Sequence, residues 1–581
     1  MTMLKIAKRN LEWLPTLLAV VFLLGQVCAD LYLPTITAEL IDRGVVKNDL
    51  AYIKHAGLIM LGVALLGLLA AAVNTYFAST QAMRVGQKLR AQIFAKVLQF
   101  SNQEVSTLGD SSLITRSTND IVQIQTVMFQ TLRMMLQSPV MMLAAIVLAY
   151  HREPKLTVIF LISLPILALT VGSVMRRAIP LFRSIQKKTD RINLVFREGL
   201  TGVRVIRAFN QDQREQSRFQ AANEDYTQTG IKAYTLVAFL FPVMTLILSL
   251  TNVGIIWYGA HLIAERQMQV GNLVSFLTYA AQILFSFMML AMVFVFVPRG
   301  AAAAKRVNEV LDYPIVVQEP SQAQAVALPR EAASLSFNHV NFRYQGAEKL
   351  SLTDVNFIAP AGTTVAIIGG TGSGKSTLVN LIDRLFDVES GQIKIGDQPI
   401  NQLRLHDLHA LVSITQQKAV LFSGTIRSNL QFGKPDATDE EIWQALKVAQ
   451  AQDFVQAAGG LDAVVEQDGA NFSGGQRQRL AIARTIIKPA AVYIFDDSFS
   501  ALDFKTDAQL RHALQTAKHL QPAVKVIVAQ RVSTVADADL ILVMEDGHVV
   551  GQGDHATLKA TNPTYQEIIA SQLQKGDEAD A

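Results

Sequence analysis

The chain has 581 residues, half of them hydrophobic, and a positive mean hydropathy. That is too apolar for an ordinary soluble enzyme and too long for one domain. Its 52 basic and 48 acidic residues nearly balance, so bulk charge gives no argument for nucleic acid, and its one cysteine, Cys28, excludes an intramolecular disulfide and argues against a cysteine-based metal site.

Apolar residues concentrate before residue 300. Six predicted spans cover 14–38, 55–80, 128–150, 156–176, 233–260 and 273–297, each with room for the roughly 20 residues that cross a hydrocarbon core. Helices are expected because the bilayer core has no water to satisfy an open backbone. The apolar run after Trp13 lacks a small-residue cleavage pattern, so it is expected to be an uncleaved span. Basic residues mark the cytoplasmic side. Lys5, Lys8 and Arg9 precede the first span, and Arg84, Lys88, Arg90, Lys96 and Arg116 lie between the second and third. The segment between the fourth and fifth is richer, from Arg176 and Arg177 through Arg214 and Arg218. The positive-inside rule therefore predicts a multi-pass membrane protein with both termini and the two long loops in the cytoplasm. Those loops read as helical extensions of the spans.

Asp30 is a carboxylate within a span, where an acid usually faces a cavity or a partner. Pro139, Pro165 and Pro242 are candidates for kinks. The sixth span carries Phe285, Phe287, Met288, Met289, Met292, Phe294 and Phe296. Such adaptable side chains suit hydrophobic ligands, and equally suit lipid-facing and packing surfaces.

The helical pattern continues through 301–312, so the membrane domain is read as 1–312. A Pro-containing linker is expected over 313–334. A second domain is read over 335–575, with a tail at 576–581. Within it, TVAIIG (364–369), QIKIG (392–396), VYIFD (492–496), VKVIVA (524–529) and LILVM (540–544) alternate with helical patterns. This predicts an α/β domain with a largely buried parallel sheet.

GGTGSGKST (369–377) is a complete P-loop pattern between a predicted strand and a predicted helix. Gly369, Gly370, Thr371, Gly372, Ser373 and Gly374 would turn backbone N–H groups toward phosphates. Lys375 would reach the β- and γ-phosphates, and Ser376, followed by Thr377, would hold Mg²⁺ at a helix start. The cofactors expected are ATP and Mg²⁺.

FSGGQRQRLAIAR (472–484) separates this P-loop from those of kinases and GTPases. At these residues the chain resembles the ATP-binding cassette (ABC) family, whose signature usually begins with Leu where Phe472 stands here. The fold the resemblance implies is an α-helical membrane domain of six transmembrane helices, ABC exporter type, joined to an α/β P-loop cassette. It further implies that Ser473, Gly474, Gly475 and Gln476 face the nucleotide of an opposite subunit. Tyr344 in VNFRY would stack on adenine. Gln417, four residues before LFSGTI, would contact Mg²⁺, and Asp496 would hold Mg²⁺ through water. SALD, Ser500 to Asp503, would cross to the partner. Glu466, residues near Phe209 and residues near 101–113 would contribute to docking between membrane loops and cassettes.

Two positions depart from the family pattern. Asp497 stands where glutamate usually polarises the attacking water, and Gln530 stands where histidine is usual. Asp497 is one methylene shorter, and general-base assistance depends on hydrogen-bond reach and is worth about 10²–10⁴ in rate. Gln530 cannot carry a positive charge near the γ-phosphate. With an intact P-loop, the pair resembles the degenerate half of heterodimeric bacterial multidrug ABC exporters. The resemblance implies a different half-transporter as partner, a drug-like or amphipathic substrate, contact with lipid, and a bacterial plasma membrane. Lipid or peptide export and a purely regulatory ATP-binding subunit are the alternatives.

Overall fold

Backbone groups within hydrocarbon must be satisfied inside their own segment, and the apolar half of this chain is accordingly all helix. The computed structural model describes residues 2–320 and 333–579; the side chains of 2, 291–295 and 573 onward are not described. Residues 321–332 of the expected linker, the side chains of Met292 and Phe294, and those of the 576–581 tail therefore lie outside the described residues.

Twelve α-helices form the first part: α1 Thr2–Asn10, α2 Trp13–Glu39, α3 Leu50–Val97, α4 Asn102–Leu108, α5 Asp110–Ser117, α6 Asn119–Gln130, α7 Leu136–Arg152, α8 Pro154–Thr201, α9 Val203–Ala208, α10 Asp212–Ala238, α11 Leu240–Ala264 and α12 Val270–Leu311. Among the described residues six stretches are long and apolar enough to cross a membrane, beginning at Trp13, Leu50, Asp110, Pro154, Asp212 and Val270. The first five expected spans fall one in each, and the sixth, 273–297, overlaps Val270–Leu290. At 48 residues, α3 and α8 are each about 72 Å long, more than twice a hydrocarbon core. Pro139 and Pro165 lie inside helices. The Asp212 stretch is broken at Phe239, between the end of α10 at Ala238 and Pro242 in the first turn of α11, and Pro242 lacks the N–H that would bond to the Ala238 carbonyl.

Polar side chains tie these helices at a few points. Asn74 on α3 is buried, and its amide donates to the carbonyl of Ala19 on α2 at 2.7 Å. Asp120 on α6 is buried and accepts from Arg306 near the end of α12, with Nε 2.8 Å from Oδ2. In hydrocarbon, where apolar contacts do not distinguish a neighbour from a lipid tail, the Asn74 bond helps fix which helices pair.

The chain divides into two compact units, and the division is not a single cut. Residues 99–109 group with the second unit, which resumes at Pro314. The reason is local. Ser101 and Glu104 form a capping box that starts α4, and the Glu104 carboxylate also accepts the Val316 N–H at 2.7 Å. The expected 1–312 domain therefore lends one short helix to the cassette unit.

In that unit the strands are β1 Leu335–Phe342, β2 Leu352–Ala359, β3 Thr364–Gly369, β4 Ser390–Ile395, β5 Gln398–Pro399, β6 Val412–Thr415, β7 Gly424–Thr425, β8 Val464–Val465, β9 Val492–Asp496, β10 Val524–Val528, β11 Leu540–Glu545 and β12 His548–Gly553. The main sheet has the order β12-β11-β3-β10-β9-β6, and all neighbours are parallel except β11 and β12. β3, β9 and β10 are buried at every position, as a sheet covered on both faces requires. QIKIG is not part of this sheet. It forms β4 in a separate antiparallel sheet, β2-β1-β4-β5, where part of each strand stays exposed.

Asp120→Ala should lower the stability of the detergent-purified chain by about 1–3 kcal/mol, below the usual penalty for a broken buried pair because Arg306 is half exposed. A thermal midpoint equal to that of the unsubstituted chain would show that the pair contributes nothing.

Candidate nucleotide site

Parallel pairing sets the site. β10 lies between β3 and β9, so the loops that follow these three strands emerge side by side at one edge of the sheet. After β3 comes the P-loop, after β9 come Asp496 and Asp497, and after β10 comes Gln530. The cleft over this edge has a volume of about 1100 Å³, and Tyr344, Thr371, Gly372, Gly374, Lys375, Ser376, Thr377, Gln417, Asp496, Asp497 and Gln530 all line it.

The P-loop turns through left-handed backbone at Gly372, φ +86°, and Gly374, φ +99°. A side chain at either position would strain the turn. Gly369 has another reason: a Cβ there would sit 2.2 Å from the Met544 carbonyl of β11. Gly369, Gly370 and Ser373 are not in the cleft wall; they support the loop from behind. Lys375 Nζ donates to the carbonyls of Gly369 at 2.9 Å and Gly370 at 2.6 Å, which holds it across the loop. Helix α13, Lys375–Ile382, begins at this point and aims its N-terminal dipole at the cleft. Tyr344 stands at the rim with its hydroxyl 3.0 Å from Thr377 Oγ1, and its ring packs edge-on to Phe342 and Phe386.

Ser376 Oγ donates to Asp496 Oδ1 at 3.1 Å. A hydroxyl and a carboxylate this close, with the Gln417 amide also in the wall, form a small set of hard oxygen donors. They fit Mg²⁺, which takes one or two protein carboxylates and completes its shell with water and phosphate. No cluster of three or more His, Cys, Asp or Glu exists among the described residues to make a dedicated metal cage. Gln417 rather than Gln416 is the residue in the cleft.

Asp497 has left-handed backbone, φ +48°, and its N–H donates to the Val528 carbonyl at 3.1 Å. Aspartate tolerates this region better than longer side chains do, so the backbone gives a local reason for Asp at this position, separate from chemistry. Its Oδ2 accepts from Gln530 Nε2 at 2.9 Å and from Gln417 Nε2 at 3.4 Å. The two unusual residues therefore bond directly to one another. Gln530 is held in turn by Gln572 of the C-terminal helix, whose Nε2 donates to the Gln530 carbonyl at 2.7 Å and whose Oε1 accepts the Val532 N–H at 2.9 Å.

Burial raises the pKa of Asp496, and the nearby charge of Asp497 adds to this against the Ser376 hydrogen bond and Lys375. Burial also raises Asp497, opposed by the Gln530 and Gln417 hydrogen bonds and by Lys375. Burial lowers Lys375, opposed by the two carboxylates. An electron-rich polyphosphate with its metal would meet a cation and two acids held away from their ordinary ionisation.

The remaining sequence candidates lie outside this cleft. Ser473 caps the helix Gly474–Ile486, with its side chain accepting from Gln476 N while Gln476 Oε1 accepts the Ser473 N–H at 2.9 Å. Ser473 Oγ and Gln476 Oε1 act as acceptors in this cap, so the Ser473 hydroxyl, the Gln476 amide nitrogen and the first-turn amides are what the segment can offer an anion. Asp503 caps the helix Phe504–Thr516, accepting from Thr506 N at 2.9 Å and from Thr506 Oγ1 at 2.8 Å, and these bonds lower its pKa. Glu466 precedes a short 3₁₀ turn, its N–H donating to Asn471 Oδ1. Phe209 follows α9 and is 72% exposed.

Asp546, Gly547 and His548 also line the cleft and escaped the sequence reading. Their Asp-Gly pair signals a tight hairpin, and both residues have positive φ. Its place over the P-loop depends on β11 lying beside β3, and the Gly547 N–H donates to the Ser373 carbonyl at 3.2 Å.

Residues 16–287 match the family described as ABC transporter transmembrane region, and residues 352–500 match ABC transporter. An uncharacterized ABC transporter ATP-binding protein of Mycobacterium tuberculosis is 41% identical over 94% of this chain and 93% of its own length. ATP-dependent lipid A-core flippase 1 of Colwellia psychrerythraea is 29% identical over 96% of this chain and 93% of its own. Among solved structures, a bacterial Atm1-family ABC exporter with ATP bound has the same fold, with a TM-score of 0.81 at 24% identity, covering 96% of this chain and 99% of that one.

A raised carboxylate pKa means that Asp496 takes up its proton sooner on acidification than an ordinary aspartate would. Magnesium-dependent binding of a fluorescent ATP analogue is expected to weaken as pH falls through that range, while Asp496→Asn binds weakly throughout with a flatter profile. Identical profiles for the two proteins would remove Asp496 from the metal-nucleotide site.

Proposed function

The chain belongs to the ABC transporter family, and on that premise we propose that it is the slow-hydrolysing half of a heterodimeric ATP-driven exporter. The exporter half-transporter layout, six membrane helices and a cytoplasmic cassette, is the family's. The division of labour between two unlike halves is the inference.

The observation that carries it is the bond between Asp497 and Gln530. A general base must reach the water it activates. Here the short carboxylate is drawn onto two amides, and the residue that would neutralise developing phosphate charge is itself a neutral amide. In phosphoryl transfer the protein contributes positioning and electrostatics, and this site is poor in both beyond the P-loop. Binding needs less. Lys375, the P-loop amides, the α13 dipole and Tyr344 suffice to hold ATP, with Ser376, Gln417 and Asp496 holding Mg²⁺ to offset phosphate charge. The signature residues Ser473 to Gln476 would complete the nucleotide site of the partner. The occupied weak site would favour closure of the cassette pair and thereby support hydrolysis at the strong one, a linkage between two sites.

The substrate class is an amphipathic molecule, drug-like or lipid. The likeness to a lipid A-core flippase favours the lipid side of that class.

Two measurements test the asymmetry. Asp497→Glu combined with Gln530→His should raise hydrolysis at this chain's own site by about 10²-fold or more, read by nucleotide trapping at that P-loop. No increase, or substrate-stimulated turnover at an ordinary rate by the unsubstituted chain as a homodimer, would overturn the degenerate reading. Lys375→Ala in the assembled pair should slow turnover at the partner's P-loop severalfold; an unchanged rate would show that the two sites are not linked.

A further inference from the structure

The C-terminal helix, Pro563–Ala579, carries none of the nucleotide motifs. Its inward stripe runs at helical spacing through Tyr565, Ile568, Ile569 and Gln572. Tyr565 is fully buried, and Ile568 and Ile569 pack against the same apolar core. Gln572 takes the fourth position, where an apolar residue would continue the stripe, and there it meets the chain that leaves β10. Its Nε2 donates to the Gln530 carbonyl at 2.7 Å, and its Oε1 accepts the Val532 N–H at 2.9 Å. Both backbone groups need such a partner. Gln530 lies beyond the end of β10 at Val528, and Val532 opens the short helical turn Val532–Val535, whose first amides have no acceptor within the turn. One side chain thus holds the backbone on both sides of Arg531. Arg531 is itself held from another direction, with its guanidinium 4.7 Å from the centre of the Phe504 ring.

What this backbone carries is the Gln530 amide, which lines the cleft. A primary amide has two N–H donors. One is given to Asp497 Oδ2 at 2.9 Å, and no acceptor among the described residues takes the other. A donor at this place meets the terminal phosphate of a triphosphate and finds no such oxygen on a diphosphate. Hydrogen bonds to ionised oxygens are short and geometrically demanding, so a shift of the Gln530 backbone by even a fraction of its side-chain length takes the donor out of reach. We propose that Gln572 is a positioning residue of the nucleotide site: it holds Gln530 where the second N–H reaches the γ-phosphate, and so sets the preference for ATP over ADP. This assignment rests on the cleft being an ATP site and is independent of the division of labour between two halves.

The test is a double-mutant cycle on the full chain in nanodiscs with Mg²⁺, in which the non-hydrolysable triphosphate AMP-PNP and ADP each displace a fluorescent ATP analogue. Gln572→Met keeps the side-chain length and continues the apolar stripe while removing both bonds. It should lower the affinity for AMP-PNP severalfold relative to ADP and leave the affinity for ADP unchanged. Gln572→Ala, which also removes both bonds, should do the same. In a Gln530→Ala background, where the positioned amide is gone, Gln572→Met should have no further effect. An unchanged ratio in Gln572→Met, an equal loss for the two nucleotides, or the same drop without the Gln530 amide would overturn the proposal, the last two because they assign Gln572 to packing alone. Absence of binding to the unsubstituted chain would overturn the ATP-site reading and this one with it. Hydrolysis is not measured, so an ordinary hydrolytic rate at this site would sink the slow-hydrolysing reading and leave the assignment of Gln572 standing.

Discussion

One register holds the nucleotide site together. Val528 pairs with Ile367 on one side and with Asp496 on the other. This alignment brings the P-loop, the paired aspartates and Gln530 to a common edge. A slip of one residue would turn each side chain to the opposite face, separating Ser376 from Asp496 and Asp497 from Gln530. The apolar filling of β3, β9 and β10 prevents the slip, since every position in these strands is buried and any other register would misplace several large side chains. Catalytic geometry here is a by-product of core packing.

Much of this was legible in the residues. Six apolar stretches, a complete P-loop and a signature segment fix the architecture, because hydropathy and backbone turns are local properties. β3 and β9 ran over the residues expected, since their boundaries are set by a Gly-rich turn and by a carboxylate. QIKIG misled because a short β-rich run does not say which sheet it joins; its half-exposed face belongs to an antiparallel sheet. Pro242 was legible as a candidate kink, and its stretch does break at Phe239, because a proline takes away the N–H that would bond to the carbonyl four residues back. The Asp-Gly pair at 546–547 is a local turn signal that went unread, and its position over the P-loop follows from strand order, which is a long-range fact. The Gln572 clamp on Gln530 lies 42 residues away in sequence and carries no motif at all.

The substitution pair also has a structural side. Left-handed backbone at Asp497 suits aspartate, and the Gln530 amide donates a hydrogen bond to the resulting carboxylate. The two changes are mutually consistent: each is the partner that satisfies the other's polar group.

The Glu104–Val316 bond has a different kind of consequence. The cassette unit takes in residues 99–109 as well as the chain from Pro314 on, so the backbone passes between the two units at three places, after Leu98, after Gly109 and after Tyr313. A cassette excised at Pro314 would leave the Val316 amide without its acceptor and expose the surface that α4 covers beside Gln345. The natural boundary of this ATPase is therefore not a point on the chain. It is a splice of two distant pieces, and enzymology on the isolated C-terminal fragment would be performed on a protein with one of its own helices missing.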